Sequence, residues 1–489
     1  MVRRLMSAVM CILVGSVGLA AVAAADAASP TVTPATGGNG VPVLFGHTSF
    51  DLASVGYEQS EFFLTGSASA YSPTSPLTSD GKWSVAATSP QQYTTRVVVN
   101  RPVDARKFNG TVVVEWLNVS GGVDASPDWI HTHVELIRRG YAWVGVSAQA
   151  VGLNQLKCPA ASPPSCPAPG DPARYGSLTH PGDSYSYDIF SQAGQAVRSN
   201  AQTVLGGLLP AHVIAAGESQ SAGRMVTYID AVHPIVHVYD GFLVHSRSAG
   251  GAALSQAPLP AVSTPSPTFI RDDIDVPVMV FQTETDVGGL LARQPDSARY
   301  RLWEVAGTSH FDQYGLVQGA TDTGTRDAVA AWFDSMLHPT NQPSPLFTCN
   351  SPINTGPATF VLRAGISALN DWITDGTLPP VAPRLQTTGT QPPYSVDANG
   401  NVLGGIRTPA VDVPVAKLSG LGQSGQQFCQ LFGTTAPFTH DQLVSLYPTH
   451  DAFVSSWNQA TQDAVKAGFV AKEDAQNLRV VGAQSGIPD

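Results

Sequence analysis

Between about residue 60 and residue 305 the hydrophobic positions fall into short, nearly unbroken runs: EFFLT (61–65), YTTRVVV (93–99), TVVVEWL (111–117), AWVGVS (142–147), VIAA (213–216), VYDGFLV (238–244), VPVMVFQ (276–282) and YRLWEV (300–305). Runs without a polar alternate predict strands covered on both faces, the habit of a parallel sheet. The first two follow one another with no long helix between them and are expected to form an antiparallel edge. Helical patterns lie between the later runs. Ser126-Pro127 before DWIHTHVELIRR, with Gly140 after it, predicts a helix with an N-cap, a first-turn proline and a C-terminal glycine. Residues 185–205 read as a second helix, and Ala222, Met225, Val226 and Ile229 repeat at helical spacing until His233-Pro234 is expected to stop them. A further helix is expected from Ala358 to Gly376. Strand and helix alternating in this way predict an α/β fold with a mostly parallel central sheet and helices on both faces. Pro/Ala/Ser-rich stretches at 159–182 and 246–267 read as loop insertions. Past residue 380 there is a hairpin signal at Asn399-Gly400 and two short helical patterns near 441–446 and 452–467. The chain is divided accordingly: 1–25 a signal peptide, 26–40 a polar leader, 41–380 the α/β body, and 381–489 a C-terminal extension packed on it.

Composition narrows the class. Over 489 residues, 43% are hydrophobic and 13% charged, which excludes a disordered chain. Lys+Arg 26 against Asp+Glu 37 gives a net charge of −11, with no run of like charges, so nucleic acid is excluded as an electrostatic partner. Arg3 and Arg4 precede an apolar run from Leu5 to about Val22 and then Ala23-Ala24-Ala25, a secretory signal cut after Ala25, or alternatively after Ala28. The competing readings, a retained membrane anchor or lipidation at Cys11, fit the Gly/Ala content and the preceding Ala8-Val9-Met10 less well. No later run would span a bilayer, so no transmembrane anchor is expected after signal removal. Export leaves Cys158, Cys166, Cys349 and Cys429, an even number suited to two disulfides. Cys158 and Cys166 bracket CPAASPPSC and pair most economically with each other, leaving Cys349 for Cys429; four free thiols are the alternative. No CxxC motif is present, and no metal or other cofactor is expected.

The candidate chemistry starts at VIAAGESQSAGRM, where a buried strand runs straight into Gly217-Glu218-Ser219-Gln220-Ser221 and then a helix. A serine on such a sharp turn projects its hydroxyl above the sheet, and the turn tolerates only small residues two places before and after it. Gly217 and Ser221 meet that condition around Ser219; Ser221 itself is the weaker nucleophile candidate, and an ordinary Ser/Gly connection is the bland alternative. Serine triads in such folds run Ser, acid, His along the chain. Thr283-Glu284-Thr285-Asp286 follows VPVMVFQ, and Gly307-Thr308-Ser309-His310 follows YRLWEV. His310 is the expected base and Asp286 the expected acid, with Glu284 the alternative and Asp240 a third candidate. An oxyanion hole would use the Gln220 N–H and that of Ser120 or Gly121 in the loop Asn118-Val119-Ser120-Gly121-Gly122. With an unperturbed imidazole, kcat/KM should rise through an apparent pKa in the range of about 6 to 7. His131 and Glu135 have the i,i+4 spacing of a metal pair but no third ligand, so packing is the better reading. His245 could line the pocket, and His180 is expected to hold a turn.

The segments EWLNVSGGVDASPDW, GYAWVGVSAQ, HPGDSYSYDIFSQAG, GESQSAGRMVTYIDAVHP, QTETDV and GGIRTPAVDVPVA together resemble a family of bacterial α/β-hydrolase domain-containing proteins, from about Gly46 to the C-terminus. The resemblance implies an α/β-hydrolase fold and a serine hydrolase; substrates in that family are largely unassigned. The sequence is therefore read as a secreted carboxylic ester hydrolase acting on a small-molecule ester through an acyl-enzyme. An amidase, peptidase or cofactor-free haloperoxidase with the same triad is one alternative, and a catalytically silent binding protein is another.

Overall fold

In the computed structural model, which describes residues 28–41, 43–88, 90–161, 166–390 and 393–488, the apolar runs become one nine-stranded sheet. The strands are β1 Thr31–Pro34, β2 Tyr57–Ala68, β3 Gln91–Pro102, β4 Thr111–Trp116, β5 Ala142–Val146, β6 His212–Glu218, β7 Gly241–His245, β8 Val278–Gln282 and β9 Tyr300–Glu304, in the spatial order β1-β2-β3-β5-β4-β6-β7-β8-β9. From β5 to β9 every pairing is parallel, whereas β1, β2 and β3 form the antiparallel edge. The signal peptide read at Met1–Ala25 lies outside the described residues.

Among the described residues the helices of eight residues or more are α1 Pro127–Arg139, α2 Ser186–Ser199, α3 Gln220–Thr227, α4 Arg326–Leu337, α5 Ala358–Thr374, α6 His450–Lys466 and α7 Lys472–Gln484. All six residues of β4 are buried, and the reason is visible in which neighbours its alternate side chains reach. Val112, Val114 and Trp116 pack with Phe190 of α2 and Met225 of α3, while Val113 packs on the other face with Trp129 of α1 and Leu369 of α5. Helices on both faces leave no solvated side, so the strand has no polar alternate to show.

α1 begins and ends where its proline and glycine predict, but its cap is a different residue. Ser126 makes no side-chain cap and donates instead to Gly46 O at 2.9 Å. The buried Glu115 of β4 accepts from the N–H groups of Asp128 at 3.0 Å and Trp129 at 2.9 Å, placing a carboxylate on the positive end of the helix. Gly140 closes the helix at φ 75°, where an added Cβ would meet Lys107 O at 1.7 Å.

Two expectations change. The stretch read as a polar leader contains β1, whose four residues pair with Phe62–Thr65; a strand this short and mostly exposed carries no hydrophobic pattern. Pro234 does not stop the helix after the elbow, because the chain passes through a π-turn at Tyr228–Val232 and the proline falls in the first turn of a new segment, His233–Val236. The stretch from residue 381 onward packs against the body: Trp332 and Phe333 of α4 pack with Phe453 and Trp457 of α6 and Leu478 of α7. Among the described residues no helix is long and apolar enough to cross a membrane.

Candidate active site

β6 carries Gly217 and Glu218 at its end, and the next residue, Ser219, adopts φ 58° and ψ −114°. Such a left-handed conformation is costly for a residue with a side chain and is held by its surroundings. Ser219 N donates to His245 O at 2.9 Å, and Gly223 N donates back to Ser219 O at 3.1 Å as α3 begins. The spacing rule has a steric cause here: a Cβ on Gly217 would lie 2.9 Å from Ser221 O and 3.0 Å from Met225 Cγ. Ser221 is completely buried under the turn.

His310 sits between two carboxylates. Its Nε2 lies 2.7 Å from Ser219 Oγ, and its Nδ1 lies 2.6 Å from Asp286 Oδ1. The other Asp286 oxygen accepts from Thr283 N at 2.7 Å and Thr283 Oγ1 at 2.8 Å. Glu218 Oε1 comes within 3.1 Å of His310 Nε2, and Asn118 Nδ2 holds the Glu218 side chain by donating to Oε2 at 3.1 Å. Burial pushes the His310 imidazole down, but the Asp286 and Glu218 charges outweigh it and bring it up to about 9. Burial pushes Glu218 up to about 7 against the pull of His310 and His245. Burial would also raise Asp286, yet the His310 charge and its hydrogen bonds hold it below the usual carboxylate value. The expectation of an ordinary imidazole near 6 to 7 therefore gives way to a raised one, because two carboxylates face the ring.

Glu284, two residues from Asp286, is used elsewhere. Its carboxylate accepts from Gly307 N at 2.5 Å and Gly420 N at 2.8 Å, joining the loop that carries His310 to the tail. Burial pushes it up to about 7 against those two donors. Asp240 lies before β7, at the opposite end of the strands, and pairs with Arg198 at 2.6 Å. For the oxyanion candidates, the Ser120 N–H is already given to Asn118 Oδ1 at 2.8 Å. Among the described residues the Gly121 N–H has no acceptor, and Gln220 opens α3, where the first amides are free of intrahelical partners.

The remaining histidines do other work. His131 is buried, stacked on Tyr314 and edge-on to Phe311 and His245, while Glu135 is bound to Arg138, Arg139 and Ser367. The two do not form a ligand pair. His245 is buried against Asp128 at 2.9 Å instead of facing the pocket, and His180 holds its turn through Gly182 N at 3.1 Å. His233, His237 and Asp275 gather their ligand atoms within 4.8 Å of one another, but they precede β7 and β8 and so lie at the opposite end of the strands from Ser219. One nitrogen of each ring is engaged by Asp275, His233 Nε2 at 3.0 Å and His237 Nδ1 at 3.2 Å.

Ser219 and His310 open into a cavity of about 200 Å³ lined also by Phe45, Gly121 and Pro127 and by the cluster of Phe311, Phe347, Phe428, Leu431 and Phe432. Disulfides join Cys158 to Cys166 and Cys349 to Cys429, and the second lies within this aromatic wall. The sequence reading missed the wall, although Phe347 and Phe428 stand close to the two cysteines in PLFTC and QQFCQLF. It also missed the placement of Glu218 beside His310.

No curated protein matches the sequence. Solved structures similar in part include the rice cell wall degrading esterase LipA from Xanthomonas oryzae (14% identity, TM-score 0.23, covering 42% of this chain and 49% of that chain). XC6422 from Xanthomonas campestris, described as a member of a/b serine hydrolase without lid, shows 15% identity and TM-score 0.24 over 48% of this chain and 83% of its own. The esterase domain of a Rhodothermus marinus protein shows 11% identity and TM-score 0.25 over 50% and 86%. A family model described as an alpha/beta hydrolase domain matches residues 29–480, nearly the whole chain, and the protein belongs to that family.

Proposed function

We propose that the protein is an exported serine hydrolase that cleaves carboxylic esters. The observation that carries this reading is the single row of hydrogen bonds from Ser219 Oγ through His310 to Asp286, opening into the cavity at the strand ends. Ser219 Oγ attacks the ester carbonyl carbon while His310 Nε2 takes the hydroxyl proton. The oxyanion of the tetrahedral intermediate accepts from the N–H groups of Gln220 and Gly121. The C–O bond to the leaving alcohol then breaks as His310 returns the proton to it. Water, deprotonated by the same imidazole, releases the acid and restores Ser219. Asp286 keeps the proton on Nδ1 and stabilises the imidazolium, and Glu218 adds a second negative charge beside Nε2. The two disulfides fit an oxidising, extracytoplasmic compartment.

A fluorophosphonate probe tests the reading. Adduct on Ser219, with hydrolysis of p-nitrophenyl esters outpacing that of matched aryl amides, is the expected result. A folded chain that never reacts would make it a silent binding scaffold, and faster amide cleavage would make it an amidase.

A further inference from the structure

Apart from Ser219 and His310, the polar side chains lining the cavity are those of Asn118, Ser120 and Glu218. Among the described residues no lysine or arginine lines it, and the buried Glu218 would repel an anion. Asn118 is largely committed within the protein: its Nδ2 donates to Glu218 O and Oε2, and its Oδ1 accepts from Ser120 N. A phosphate or carboxylate entering here would give up its water beside the Glu218 carboxyl. The aromatic wall is a set of rings. Phe347 packs edge-on against Phe428 at 6.2 Å and against Phe432 at 5.4 Å, between centroids. Edge-to-face rings of this kind present a flat apolar surface suited to another ring or an aliphatic chain.

The wall is also fixed in place. Cys349–Cys429 joins the two segments that bear the rings, Phe311 N donates to Leu431 O at 3.2 Å, and Asn354 N donates to Phe432 O at 2.8 Å. Asn354 Nδ2 donates in turn to Gly307 O at 3.1 Å, so the wall and the His310 loop form one unit. The cavity of about 200 Å³ is below the roughly 300–1,000 Å³ of sites for drug-sized ligands and suits a single ring or a short chain against the wall.

We infer that the substrate is an uncharged ester carrying, next to the scissile bond, one aromatic ring or short aliphatic chain that packs on the Phe347–Phe428–Phe432 wall. The inference rests on the proposed ester hydrolysis and names its substrate class. The disulfide-tied tail thereby sets selectivity.

Two ester series on the mature enzyme test this: methyl esters of acids from acetic to hexanoic, with phenylacetic and succinic monoester added, and acetates of alcohols of the same lengths, with benzyl alcohol added. In the series whose variable group meets the wall, kcat/KM should climb roughly fourfold per methylene before levelling off. The ring ester should be preferred and the anionic monoester rejected. Phe347→Ala and Phe428→Ala, both at half-buried positions, should each lower the ring-to-acetyl selectivity ratio on the order of tenfold. Phe432 is buried, so its replacement also threatens the fold and is not relied on. Flat profiles in both series, a preference for the monoester, or an unchanged ratio in both variants would overturn the inference. Each of these outcomes, accompanied by probe labelling of Ser219, leaves ester hydrolysis standing; absence of labelling removes both.

Discussion

At the strand ends, Ser219 directly follows β6, while Asp286 and His310 lie in the loops leaving β8 and β9. In the tail, by contrast, the aromatic wall is gathered from segments whose linking cysteines are 80 residues apart. The first region is built by local turn chemistry at the ends of parallel strands. The second exists only because a disulfide, the Glu284 bracket and the Asn354 hydrogen bonds bring distant loops against the His310 loop. In the proposed mechanism one region supplies reactivity and the other selectivity, and substitutions should separate the two.

The largest separation is expected at the elbow. Ser219→Ala should lower kcat on the order of 10⁵-fold or more, whereas Ser221→Ala, beneath the turn, should act through stability. Single-turnover kinetics alongside thermal melts distinguish these, and a larger rate loss for Ser221→Ala would reverse the assignment. Next come the two acids. Asp286→Asn should cost on the order of 10⁴ in kcat through the wrong His310 tautomer. Glu284→Gln should leave most of the rate and lower Tm, since it weakens acceptance from Gly307 and Gly420. If Glu284→Gln instead matched the rate loss of Asp286→Asn, the bracket and the triad could not be told apart.

The disulfides sharpen the comparison on the side of stability. Chain-entropy reasoning assigns about 4.5 kcal/mol to closing the 80-residue separation of Cys349 and Cys429, against about 2.5 kcal/mol for the 8 residues between Cys158 and Cys166. Denaturant titration of the paired Cys→Ser variants should rank them in that order. The smallest effect is expected in the pH profile. His310 must be neutral to accept the serine proton, so kcat/KM should rise with pH toward an apparent pKa of about 9. Glu218→Gln removes one of the charges raising that pKa and should move the acid limb to lower pH. An unmoved limb would mean that Glu218 does not act on His310.

The same contrast explains what could be read from the sequence. The sheet was legible because strands buried on both faces write themselves as unbroken apolar runs, and the elbow because Gly217 and Ser221 have no room for larger side chains. The choice between Asp286 and Glu284 was not, since the two residues share one loop and differ only in which distant group each meets: His310 for one, Gly307 and Gly420 for the other. Glu115 capping α1 was hidden for a similar reason. Its partners, Asp128 and Trp129, lie across a loop, and nothing in TVVVEWL marks one buried carboxylate as a cap. The aromatic wall depends on pairings over still longer distances, which periodicity does not report.

The two carboxylates around His310 also bear on when the fold is firmest. A raised imidazole contributes stability that is fully present below its unfolded pKa of about 6.5 and is lost as pH climbs through about 9. Asp286, held low, contributes stability above its unfolded pKa of about 3.9 and loses it on acidification. Between those limits the ion pair is intact and, in the proposed mechanism, the base is switched off. In the proposed mechanism the pairing that steadies the His310 centre is therefore strongest where the base is idle, and it is withdrawn in the alkaline surroundings where the base becomes available.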